Sequence, residues 1–100
     1  MSFFKDKYTL KCFYTDNVKK IKEIVDFKYR DDDSIVKEYY KLSIKHNAQS
    51  ILVFLVTECN YIEDLSQLRD FMYPNKFQKI YKYLVNNENN TKYLVKYFGK

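Results

Sequence analysis

The sequence predicts a mainly α fold: a small helical domain of about five helices. Stacked helix pairs and one N-terminal strand are alternatives that its short segments leave open. Three observations predict this fold. Apolar side chains recur every three to four positions along most of the chain, the spacing of a helix face. Breakers are scarce, with one Gly and one Pro in 100 residues. The chain is 46% hydrophobic and 19% aromatic, which supplies a core and excludes intrinsic disorder. A length of 100 residues allows one domain at most, so 1–100 is expected to be a single helical domain.

The elements follow in order. Tyr8, Leu10, Cys12 and Tyr14 alternate with Thr9, Lys11 and Phe13, which is strand-like, although a helix over 6–14 fits the same residues. Thr15 or Asp16 is the expected cap of a helix over 17–26, with Val18, Ile21, Ile24 and Val25 on one face. Asp31, Asp32, Asp33 and Ser34 mark the next helix start, because acidic groups and a hydroxyl meet unbonded N–H groups and the positive dipole end. Val36, Tyr39, Tyr40, Ser43 and Ile44 then face inward on helix 34–46, which His46 ends.

Residues 51–56 (Ile-Leu-Val-Phe-Leu-Val) are apolar all round and belong at the centre of the fold. A buried strand fits them, but Ala48-Gln49 and Thr57-Glu58 flank them without Gly or Pro, which favours helix. Ile62, Leu65, Leu68 and Met72 define a further helix, with Glu63 and Asp64 in its first turn and Pro74 ending it. Asn75 is the expected cap of a helix whose inner face is Phe77, Ile80, Tyr81 and Leu84. Residues 86–90 read as a turn, and Leu94, Tyr97 and Phe98 as a last short helix with Gly99 behind it. The expected core centres on Tyr40, Ile44, Ile51, Phe54, Leu55, Leu68, Ile80 and Leu84.

Segments 17–25, 47–55 and 76–84 align on Ile21, Ile51 and Ile80, at spacings of 30 and 29 residues. Each carries an apolar pair three and four positions later: Ile24/Val25, Phe54/Leu55 and Tyr83/Leu84. Such a period suggests stacked helix pairs. The segment 79–85 (Lys-Ile-Tyr-Lys-Tyr-Leu-Val) resembles the second helix of an ankyrin repeat, and His46-Asn47 sits where that family turns between helices. Over 9–86 the likeness lies in apolar spacing. Thr9-Leu10 is the nearest trace of the family's Thr-Pro-Leu-His start, and the turn glycines are missing. The resemblance implies protein binding through a helical and loop surface.

Charge is uneven. The net charge is +5. Residues 1–30 hold eight basic and four acidic groups, 31–70 four and eight, and 71–100 six and one. Such ends suit an acidic partner. Sixteen of the 18 basic residues are Lys, with Arg30 and Arg69 the exceptions, which argues against base-specific DNA reading but not against phosphate binding. Lys, Asn, Tyr, Ile and Phe make up 50 of the residues, a usage that points to an AT-rich genome, as in large DNA viruses or protist parasites.

Little reactive chemistry shows. His46 is the single histidine, and a nucleophilic pair would need Cys12 or Cys59; a four-ligand zinc site is short of ligands. Glu58, Glu63, Asp64 and Asp70 read better as helix-start and surface carboxylates than as an acid–base pair. Asp31–Asp33 lacks the Gly and Glu of a calcium loop, with Val36 and Leu42 in their places. No glycine-rich phosphate loop is present. The expectation is therefore no enzyme, no cofactor and no metal. Two cysteines do not make a disulfide framework, so a reducing cytoplasmic or nuclear setting is expected. Neither a signal peptide nor a membrane span is read, since Lys5, Asp6 and Lys7 interrupt the first residues and the longest apolar run is six.

The function expected is protein–protein interaction by a tyrosine-rich surface, in a viral or parasite factor that binds a host or partner macromolecule. The alternative is a small basic nucleic-acid-binding protein. In both, the candidate binding residues are Lys76, Lys79, Tyr83, Lys92 and Lys96, with Lys100 continuing the row of the last helix.

Overall fold

A computed structural model of the chain describes residues 7–26 and 32–99. Asp31 and Lys100 lie outside them, and so do the expectations for those two residues. Among the described residues there are seven α-helices and no strand, so the protein is mainly α. The chain clusters into two compact units, Met1–Tyr61 and Ile62–Lys100.

The first unit holds α1 (Lys7–Tyr14), α2 (Val18–Ile24), α3 (Asp33–Lys45) and α4 (Gln49–Thr57). The strand alternative for 8–14 is overturned. Thr9, Cys12 and Phe13 share one buried helical face, while Tyr8 and Tyr14 are exposed. Period two separates Phe13 from Cys12, yet both are buried, Phe13 completely, with its ring edge-on to Tyr39 at 5.2 Å.

Residues 51–56 are helical, as their flanks favour. α4 buries Ile51, Leu52, Phe54, Leu55 and Val56 and packs on α2 and α3. Tyr40, Ile51, Phe54 and Leu55 are core residues as expected, whereas Ile44 is only half-buried and the neighbouring Ser43 is fully buried. The Ser43 hydroxyl donates to the Tyr39 carbonyl at 2.8 Å, which makes a polar group tolerable there.

One turn occurs twice in this unit. Asn17 N–H donates to the Cys12 carbonyl and Ala48 N–H to the Ser43 carbonyl, both at 2.8 Å. Asp16 N–H reaches the Phe13 carbonyl and Asn47 N–H the Ile44 carbonyl, both at 3.3 Å. Asp16 and Asn47 both take the left-handed conformation, at φ 51° and 55°, which short Asx side chains tolerate better than most residues. The offset from Asp16 to Asn47 is 31 residues, so Ile21 corresponds to Leu52 rather than to Ile51. Before the helix that begins at Pro74 in the second unit no such turn exists: Met72 and Tyr73 are extended, at ψ 153° and 142°.

Capping differs from expectation at several starts. Asn17, not Thr15 or Asp16, caps α2, its side chain accepting from Lys20 N–H at 3.2 Å. Asp16 instead caps α4, accepting Ser50 N–H at 2.9 Å and Ile51 N–H at 3.0 Å. Asp64 lies outside the helix Leu65–Phe71 as its cap rather than in its first turn. At α3 the expected acidic start is Asp32.

The second unit holds α5 (Leu65–Phe71), α6 (Pro74–Asn86), a 3-10 turn (Glu88–Asn90) and α7 (Thr91–Phe98). Pro74 does not merely end the preceding helix. It occupies the first position of α6, where its missing N–H costs nothing, and Asn75 falls inside the helix rather than capping it. Leu65, Leu68, Ile80 and Leu84 are completely buried and form a small aliphatic core. α7 packs on α5 and α6 yet buries none of its own residues. Gly99 closes α7 at φ 68°, a conformation that favours glycine. No helix among the described residues is long and apolar enough to cross a membrane.

Candidate functional site

The sequence-derived residues occupy two helices of the second unit. On α6, Lys76, Lys79 and Tyr83 share one flank at i, i+3 and i+7. Only Lys79 of the three is exposed; Lys76 and Tyr83 are half-buried beside the core-facing Ile80. On α7, Lys92 and Lys96 are exposed one turn apart. Each ammonium lies 5.3 Å from the ring centroid of the next residue, Lys92 over Tyr93 and Lys96 over Tyr97. Those two rings are near parallel, with centroids 6.4 Å apart and planes at 16°.

The opposite flank of α6 carries the more developed feature. Phe77 and Tyr81, one turn apart, combine with Met72 and Pro74 into an open groove of about 600 Å³. Its rim is polar, made by Arg69, Asn75 and Gln78. Phe98 backs the groove from α7, its ring meeting Phe77 at 6.0 Å and Tyr81 at 6.1 Å in edge-on geometry. The same ring carries the Arg69 guanidinium, 5.4 Å from its centroid. The groove exists because the second unit's buried core is limited to a few aliphatic residues, so its aromatic rings remain at the surface. Sequence reading placed Phe77 and Tyr81 on the inner face and missed the groove. Their i, i+4 spacing beside Pro74 was the available signal, but spacing alone does not tell a core face from a groove wall.

Several of the titratable groups singled out in the sequence have structural occupations. Cys12 is buried, its thiol donating to the Tyr8 carbonyl at 3.4 Å, and neither Cys12 nor Cys59 is in a disulfide. His46 caps α3 with its ring edge-on to Tyr14 at 4.5 Å. Glu58 pairs with Lys22 at 2.8 Å and holds that ammonium's pKa above its usual value. Asp32 and Asp64 lie below the usual carboxylate range, chiefly because the hydroxyls of Ser34 and Ser66 donate to them at 2.6 Å, with backbone N–H groups adding to the effect. Among the described residues no group of His, Cys, Asp and Glu side chains is placed to hold a metal ion.

A smaller hollow of about 190 Å³ lies in the first unit between Tyr8, Lys11, Thr15 and Lys20. The Tyr8 hydroxyl beside Lys20 raises the pKa of that ammonium, with Glu23 adding at 3.7 Å.

No protein-family model, curated protein or solved structure matches this chain.

Proposed function

We propose that this chain is an interaction protein that acts by binding a protein partner rather than by catalysis, and that the groove on α5 and α6 is its contact surface. The observation that carries this reading is the aromatic groove itself: apolar walls, a polar rim and one arginine anchored on a ring. That composition is typical of the centre of a protein interface, where Tyr, Phe, Met and Arg concentrate. Tyr73, 57% exposed, and Tyr81, 38% exposed, extend the aromatic surface around it. The occupations of Asp16, Asp32, Asp64 and Glu58 in caps and an ion pair also favour binding over acid–base work.

The test is site-specific photo-crosslinking in cells of the chain's source. A benzophenone side chain replaces Tyr81 in one variant and Tyr14, at the surface of the first unit, in another. A single stoichiometric adduct from position 81 but not from position 14 supports the reading. Equal adducts from both positions, or none from 81, refute it.

A second reading has its own observation. The Lys92/Tyr93 and Lys96/Tyr97 ladder on α7 pairs cations with aromatic faces, the combination by which single strands are held without sequence preference.

A further inference from the structure

We infer that the groove of the second unit takes an extended acidic peptide, a segment with one bulky apolar side chain beside an Asp or Glu. This rests on the interaction reading above and names the partner's chemistry. The rim explains the acid. Arg69 presents a planar guanidinium that matches a carboxylate in two parallel hydrogen bonds. Phe98, 5.4 Å beneath it, limits the orientations the guanidinium samples and so lowers the ordering cost of binding. Asp70 approaches at 3.8 Å from Nε, beyond hydrogen-bond distance, and its side chain is 80% exposed. Such a pair holds weakly, and a ligand carboxylate in fork geometry displaces it.

The walls explain the apolar neighbour. Met72, Phe77 and Tyr81 offer an unbranched thioether and two rings, surfaces that adapt to an aliphatic or aromatic side chain without demanding one shape. Asn75 and Gln78 stand at i and i+3 on α6, both exposed on the rim. Each amide carries a donor and an acceptor, the pair required by the N–H and C=O of an extended backbone. Lys79 and Lys82, exposed on the same helix, add positive potential that attracts an acidic segment from a distance. A polynucleotide fits less well, since Lys79 and Lys82 lie off the rim, whose own polar groups are one arginine and two amides and no row of cations for successive phosphates.

A randomised heptapeptide library displayed against the full chain tests this, followed by fluorescence anisotropy with the selected peptide. Enrichment of Asp or Glu within two positions of Leu, Phe or Met is expected. Changing the selected acid to its amide should weaken binding about tenfold. Arg69→Gln should abolish that difference, so that the acid and amide peptides bind alike. Tyr81→Ala should weaken both peptides. Selected peptides without acid, or indifferent to Arg69→Gln yet sensitive to Tyr81→Ala, would overturn the acidic inference and leave the groove standing. No enrichment, or binding insensitive to both Tyr81→Ala and Gln78→Ala, would overturn the groove reading as well. Displacement of the peptide by oligothymidylate at low salt would assign the groove to nucleic acid instead.

Discussion

The carboxylate of Asp16 accepts the N–H of Ile51 at 3.0 Å, a hydrogen bond that joins residues 35 apart in sequence. Its other oxygen takes the Ser50 N–H at 2.9 Å. α4 has no side-chain cap of its own, since Ala48 occupies the cap position. The most apolar helix of the first unit therefore begins on a carboxylate borrowed from the turn between α1 and α2.

Replacing Asp16 should destabilise the first unit in a graded way. Asp16→Asn keeps tolerance for φ 51° and one acceptor oxygen, but its NH2 cannot accept the second N–H, so an intermediate loss is expected. Asp16→Ala removes the cap and strains the backbone, costing about 1 kcal/mol for each. Urea unfolding should show the alanine variant's midpoint well below the asparagine variant's.

Acid should weaken two helix starts together. Asp32 and Asp64 have lower pKa values folded than unfolded, so their contribution is complete above the unfolded value, about 4. It declines as pH falls from there through the lower folded values. Ser34→Ala and Ser66→Ala remove the main cause and should move each carboxyl back up toward the ordinary range, read by NMR titration. In a thermal melt series, the double serine variant should show a shallower loss of Tm on acidification.

Truncating Phe13 should be severe. Its ring is fully buried and meets Tyr39 edge-on, so Phe13→Ala should cost about 3–5 kcal/mol, a large share of a small domain's stability. Tyr14→Ala, on the exposed side of the same helix, should change the unfolding midpoint far less. Equal losses would contradict the helical register of α1.

If the α7 ladder holds single strands, affinity for an oligothymidylate should fall steeply with salt. Lys92→Glu with Lys96→Glu should remove binding and flatten the salt dependence, whereas Lys19→Glu in the first unit should reduce it only slightly. Affinity that ignores salt would eliminate the reading.

Helix content was legible from residue types alone. The run 34–46 and the inner face Phe77, Ile80, Tyr81 and Leu84 carry three-to-four periodicity, while the all-apolar run 51–56 was read as helix from its flanks, which lack Gly and Pro. The acidic start at Asp32 and the closure at Gly99 were equally plain, because both are local: the capping groups lie within a turn of the backbone they satisfy. Lys92 and Lys96 were legible as an exposed pair for the same reason.

What the tertiary structure alone decided involves distance along the chain. Over residues 8–14 two periods fitted equally, and burial of Phe13 against Tyr39 chose the helix. Asp16 looked like the cap of the helix beside it; only packing of α2 on α4 brings it to Ser50. The groove needed three helices to bring Arg69, Phe77 and Phe98 together, and no spacing within one helix encodes that. Periodicity determines which side of a helix is apolar, because it depends on backbone geometry. Whether that side becomes core or binding surface depends on how much apolar area its neighbours cover, and here α7 covers too little.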